Sequence, residues 1–202
     1  MVGFTRPVGA LDFPTMADPA RRAATYDDLL ALPPHVNGQI VFGVLHAHPR
    51  PAPKHANASS TLGEVLGPPF RRGRGGPGGW LILDEPEIHL AEHVIVPDLA
   101  GWRRERMPEM PVENAYFVLS PDWVCEVLSP STASLDRGDK LKVYAASDVK
   151  HVWFVDPEAH TLEVLERDAK GYRVFDVFSG EAAVRAAPFD AIELELGLLW
   201  AR

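Results

Sequence analysis

The chain has 202 residues, 46% hydrophobic and 24% charged, which suits one globular domain with a sizeable buried core. Its net charge of −8 argues against a general coat for nucleic acid, although metal-binding carboxylates add negative charge that a bound cation offsets. The single cysteine, Cys125, excludes an internal disulfide framework and fits a reducing compartment. It lies in the apolar run Trp123-Val124-Cys125 and reads as a small buried hydrophobe.

The first twenty residues lack a basic start followed by an apolar core, and no run reaches the ~18 apolar residues of a membrane helix. Cytoplasm is therefore the expected location. Pro7, Pro14 and Pro19 make residues 1–24 a loose extension, followed by a single domain over 25–202. Thr25 caps a short helix over 26–32, with Asp27 and Asp28 in its first turn, and Pro33-Pro34 stops it. Residues 39–48 read as a strand or hairpin centred on Gly43. The prolines at 49, 51 and 53 impose an extended stretch. A helix is expected over 55–66, where Ala58, Leu62, Val65 and Leu66 keep a helical spacing.

Residues 71–79 then form a flexible basic loop of arginine and glycine. Strands are expected over 80–83, 88–91 and 94–102, followed by a long proline-containing excursion to residue 121. The continuous apolar stretch 123–128 predicts a buried strand. A helix over 134–146 and another buried strand over 152–155 come next. Residues 161–166 and 172–178 alternate as a hairpin, turned by Ala169-Lys170-Gly171. This order predicts an α/β fold: a central mixed sheet with helices packed on it, and additional N-terminal and C-terminal β-hairpins.

Three segments carry chemistry. Val94-Ile95-Val96-Pro97-Asp98 ends an apolar run in an acid, and Val124-Cys125-Glu126-Val127-Leu128 encloses a second. A carboxylate inside an apolar strand is costly unless paired, protonated or metal-bound. Two such acids on core strands can converge on one cation, and Mg²⁺ asks for one or two carboxylates, with water and phosphate completing its octahedron. That set suits metal-assisted phosphodiester hydrolysis. The third segment, residues 135–140, starts a helix and brings in Lys140, a cation that would stabilise developing negative charge.

Taken together, Pro97-Asp98, the run Glu126-Val127-Leu128-Ser129-Pro130-Ser131-Thr132, Asp136-Arg137 with Lys140, Tyr144-Ala145, and Val152-Trp153-Phe154-Val155-Asp156-Pro157 resemble the Uma family of the PD-(D/E)XK restriction-endonuclease-like superfamily. The likeness spans Thr25 to Trp200. It implies a restriction-endonuclease-like core with a helix on each face of the sheet. It also implies a Mg²⁺-dependent DNA endonuclease, with Mn²⁺ as an alternative ion and the metal held by Asp98 and Glu126. Two departures matter. The superfamily lysine comes two residues after the acid, where this chain has Leu128, so the amine is expected from the following helix at Lys140 rather than Lys142, which lies roughly 200° further around. Gln39 stands where many relatives carry glutamate, and Glu64 is then a candidate auxiliary acid. His55 matches a recurrent family position and is expected to contact phosphate or a site carboxylate.

Each candidate has a plainer reading beside it. Asp98 could cap a strand end, Glu126 could pair with a buried cation, and Asp136 could serve only to start its helix. Asp84 lies in the acidic run with Glu85 and Glu87, which reads first as a solvated turn and second as an approach to the site. Arg71, Arg72 and Arg74 are either a solvated connection or contacts to phosphates. His46, His48, His89 and His93 lack the spacing of a zinc site. The alternative to an enzyme is a non-catalytic nucleic-acid- or partner-binding module on the same fold. A third reading is a homodimer module with Trp80 and Trp102 at its interface.

Overall fold

A computed structural model describes residues 22–34, 36–48 and 50–200, so the expected extension over 1–24 lies almost wholly outside the described residues. Helix α1 (Tyr26–Leu30) is two residues shorter than its pattern predicts. Strands β1 (Asn37–Val41) and β2 (Val44–His48) form the N-terminal hairpin. Its two-residue turn holds both Phe42 and Gly43 at positive φ, 49° and 72°, a backbone that matches strand twist. Helix α2 (Pro53–Leu66) starts two residues earlier than expected, because Pro53 is tolerated in the first turn.

The segment expected as one strand over 94–102 is two. Strand β5 (His93–Ile95) joins β1, β2 and β4 (Ile88–Leu90) in a small sheet of order β2-β1-β5-β4. Strand β6 (Leu99–Arg103) belongs to the central sheet. The chain changes sheets at residues 96–98, where Pro97 has no N–H to give a ladder. That change leaves Asp98 at a junction rather than inside a strand.

The central sheet continues with β3 (Trp80–Asp84), β7 (Trp123–Val127), β8 (His151–Asp156), β9 (Thr161–Asp168) and β10 (Gly171–Ser179), in the order β10-β9-β8-β7-β6-β3. The C-terminal hairpin is therefore the edge of the main sheet rather than an appendage. Among the described strands, only β7 and β8 pair in parallel. A parallel pair needs a crossover, and the helical segment of α3 (Ala133–Leu135), a π-turn (Asp136–Lys140) and α4 (Leu141–Ala146) supplies it. A small pair, β11 (Ala183–Val184) and β12 (Leu194–Glu195), closes the C-terminal region.

Every residue of β7 is buried, so its two faces feed two cores. Trp123, Cys125 and Val127 pack with Ala58, Leu62 and Leu66 of α2 and with the C-terminal segment. Trp80 and Trp102 are 1% and 0% exposed, so neither indole is placed to form the interface of the dimer reading. Phe189 is the hub of the first core, with ring centroids 4.8 Å from both Trp80 and Trp123. Val124 and Leu128 pack on the other face with Val143 and Tyr144 of α4. Glu126 shares that parity, so its side chain meets the crossover helix and not α2.

Candidate active site

The two acids reach one place by different routes. Asp98 sits at the change of sheets. Its Oδ2 accepts a hydrogen bond from the Val127 N–H at 2.7 Å, and its Oδ1 lies 3.2 Å from His55 Nε2. Its backbone carbonyl accepts from the Glu85 N–H. Glu126 stands on the adjoining strand, 2% exposed. Both line a cleft of about 330 Å³ walled on one side by the β1–β2 hairpin and on the other by residues 129–132.

Lys140 is the buried cation of this cleft, only 1% exposed. Its Nζ lies 2.6 Å from Glu126 Oε1 and 3.1 Å from Asp136 Oδ1. The Tyr144 hydroxyl donates to the same Glu126 oxygen. Asp136, Lys140 and Tyr144 follow at intervals of four, which aligns them on one helix face. Burial opposes charge on Glu126, Lys140 and Tyr144. It pushes the Glu126 carboxyl up to about 8, against the pull of the Lys140 charge. Burial also works against the Lys140 ammonium, but Glu126 and Asp136 outweigh it and hold that pKa above its ordinary value. Lys142 instead points to solvent and pairs with Asp139 at 2.8 Å.

His55 completes the Asp98 side. Burial works against its protonation, yet the contact with Asp98 prevails and raises its pKa. Its Nδ1 is buried without a hydrogen-bond partner. Gln39 lines the cleft, where its Oε1 accepts from the Val96 N–H at 3.1 Å and so staples β1 to the sheet junction. Asp84 and Glu85 border a second hollow of about 250 Å³, which shares Pro51, His55, Glu85 and Asp98 with the cleft.

Glu64 is exposed on α2 and lines neither hollow. Arg71, Arg72 and Arg74 lie beyond the far end of α2, outside the cleft. Among the remaining histidines, His89 bonds Glu87 at 2.8 Å, and His93 Nδ1 accepts from the Phe42 N–H at 3.1 Å. Sequence reasoning missed three participants. Asp136 read as a helix starter but is a buried ion-pair partner. Tyr144 could have been found from its i, i+4 relation to Lys140. Arg50 sits at the cleft, and only its place after the hairpin hinted at this.

No group of three or more His, Cys, Asp or Glu side chains arranged to hold a metal occurs among the described residues. The donor chemistry nonetheless fits Mg²⁺, which takes one or two carboxylates and draws its other ligands from water and substrate phosphate. Asp98 and Glu126 supply such a pair of hard oxygen donors on one cleft. The same set is unsuited to zinc, which prefers three or four nitrogen and sulfur ligands.

The profile of the Uma2 family, described as "Putative restriction endonuclease", matches residues 24–197. A solved structure described as "a putative nuclease belonging to DUF820", from Anabaena variabilis ATCC 29413, shares the fold with a TM-score of 0.70. The two are 22% identical, and the match covers 88% of this chain and 97% of that one. No curated protein matches the chain.

Proposed function

The chain belongs to the Uma2 family, and from that premise we propose that it is a Mg²⁺-dependent DNA endonuclease acting at the Asp98–Glu126 cleft. The observation that carries this reading is the meeting of Asp98, Glu126 and Lys140 on one cleft. Asp98 and Glu126 would hold the ion, with Mn²⁺ as a substitute. Once bound, Mg²⁺ would polarise the phosphate and lower the pKa of the attacking water.

The protein's own groups do the rest. The Val127 N–H fixes one Asp98 oxygen and His55 orients the other. Tyr144 and Lys140 together fix Glu126 Oε1. An ammonium has three N–H donors, and Lys140 directs two of them to Glu126 and Asp136. The third would meet a phosphate oxygen in the cleft, where it would stabilise charge that grows toward the transition state. Leu128 does not carry this charge. It packs in the second core, and the crossover helix supplies the amine in its stead.

Calorimetric titration with Mn²⁺ tests the metal assignment. One site per chain is expected in the wild type, with at least tenfold weaker binding in Asp98→Asn and in Glu126→Gln. Unchanged binding in both folded variants contradicts it. Duplex binding without turnover in either Mg²⁺ or Mn²⁺ would favour the non-catalytic module.

A further inference from the structure

Residues 67–79 carry Arg71, Arg72 and Arg74 and no acidic residue, in a chain whose net charge is −8. All three arginines are exposed, and among the described residues none has an ion-pair partner. The loop is built rather than slack. A π-turn (Gly67–Arg71) continues α2 into it. The Arg72, Arg74 and Gly78 N–H groups donate to the carbonyls of Gly67, Pro68 and Pro69. Gly76 packs so closely on Pro69 that a Cβ there would fall 2.4 Å from the Pro69 Cβ. The Arg104 N–H donates to the Gly79 carbonyl at 2.9 Å and brings a fourth arginine alongside, with Glu105 as the nearest acid in sequence.

Helix α2 connects this loop to the cleft. His55, in its first turn, touches Asp98. Arg71 follows sixteen positions later, roughly 20–24 Å along the helical axis at 1.5 Å per residue. The second hollow leads off from Asp98 over Ala56, Ser59 and Ser60 of the same helix. Small residues there leave room for a backbone to pass. Asp84 and Glu85 border the route and give phosphates nothing to hold, so the two ends must bind and the middle only accommodate.

We propose that the arginine loop is a second phosphate-binding site, which grips a DNA duplex about six to seven base pairs from the bond at the Asp98–Glu126 cleft, given 3.4 Å per phosphate along a strand. The proposal rests on the nuclease reading for the identity of the polyanion, and α2 acts as the spacer. Guanidinium groups on a preorganised loop suit phosphate oxygens and carry no base readout.

The test compares the full chain with Arg71→Gln/Arg72→Gln/Arg74→Gln on a 20-base-pair duplex and on a hairpin-capped duplex of five base pairs. KM for Mg²⁺-dependent cleavage and Kd in Ca²⁺ are both measured from 0.05 to 0.2 M salt. The expected result is at least a tenfold rise in KM and Kd on the long duplex only. The salt slope should fall by about 2–3, at about 0.9 for each phosphate no longer neutralised. The charge reversal Arg74→Glu should act in the same direction alone. Equal losses on both lengths, or on neither, overturn the proposal. So does a triple variant that loses binding to phosphatidylserine vesicles while holding DNA unchanged. Cleavage that ignores the arginines retires the clamp and keeps the nuclease; arginine- and length-dependent binding with no cleavage does the opposite.

Discussion

Lys140 shows how much a single residue can organise. An ammonium 1% exposed is tolerated because Glu126 and Asp136 lie within 3.1 Å of it. Removing one partner of such a group strands the others, at a cost of about 3–5 kcal/mol. Lys140→Met should therefore lower unfolding stability by about that amount in urea titrations, and adding Glu126→Gln should recover part of the loss. A cost below ~1 kcal/mol for the single variant would show that the triad is not the tight network described. His55 gives a second test. Its raised pKa means that the contact with Asp98 stabilises the fold fully below the ordinary imidazole pKa of about 6.5 and ceases to as pH rises through the folded value. In NMR titrations of metal-free protein, the His55 pKa should fall in Asp98→Asn, and an unmoved value would show that Asp98 is not its partner. Asp98 and Glu126 are legible in the sequence because apolar flanks make a charge conspicuous, whereas Lys140 sits in the polar run Asp136-Arg137-Gly138-Asp139 and stands out only through the family resemblance. Asp136 was not legible, since nothing local separates an acid that starts a helix from one that bonds a lysine a turn later.

At the scale of elements, the second core face of β7 decides which helix serves the site. Glu126 alternates with Cys125, so it must face the crossover helix, and Lys140 must come from there. Strands β3, β7 and β8 of the central sheet are readable from apolar runs, and β9 and β10 from alternation. The division of residues 94–102 between two sheets was not, because the run is equally apolar on both sides of Pro97-Asp98 and the strands diverge only through their tertiary partners. Gln39 was read for its chemistry, whereas its bond to the Val96 N–H shows it securing that divergence. Strand β6 also has a tight crossing. A Cβ on Gly101 would fall 3.1 Å from Trp123 and 3.2 Å from Trp80. Gly101→Ala should cost about 1–3 kcal/mol through overpacking, read as a lower urea midpoint with an unchanged slope. A neutral result would mean that the two indoles shift freely.

Over the whole molecule, the sheet brings the acids to one end of β6 and β7 and leaves the arginine loop at the other. An acidic chain of net charge −8 gains little from long-range attraction to DNA, so its cations must act locally. Lys140 is held by its two carboxylate partners, Arg50 borders the cleft and three arginines stand off at the far end of α2. No helix among the described residues is long and apolar enough to cross a membrane. The most direct measurement is Mg²⁺-dependent cleavage of plasmid DNA by purified wild type and Asp98→Asn, with thermal melting of both. A metal-dependent nuclease centred on Asp98 predicts cleavage by the wild type that EDTA abolishes, and at least a hundredfold loss in the variant with its melting temperature little changed. Cleavage by Asp98→Asn at the wild-type rate, or cleavage insensitive to EDTA, would contradict it.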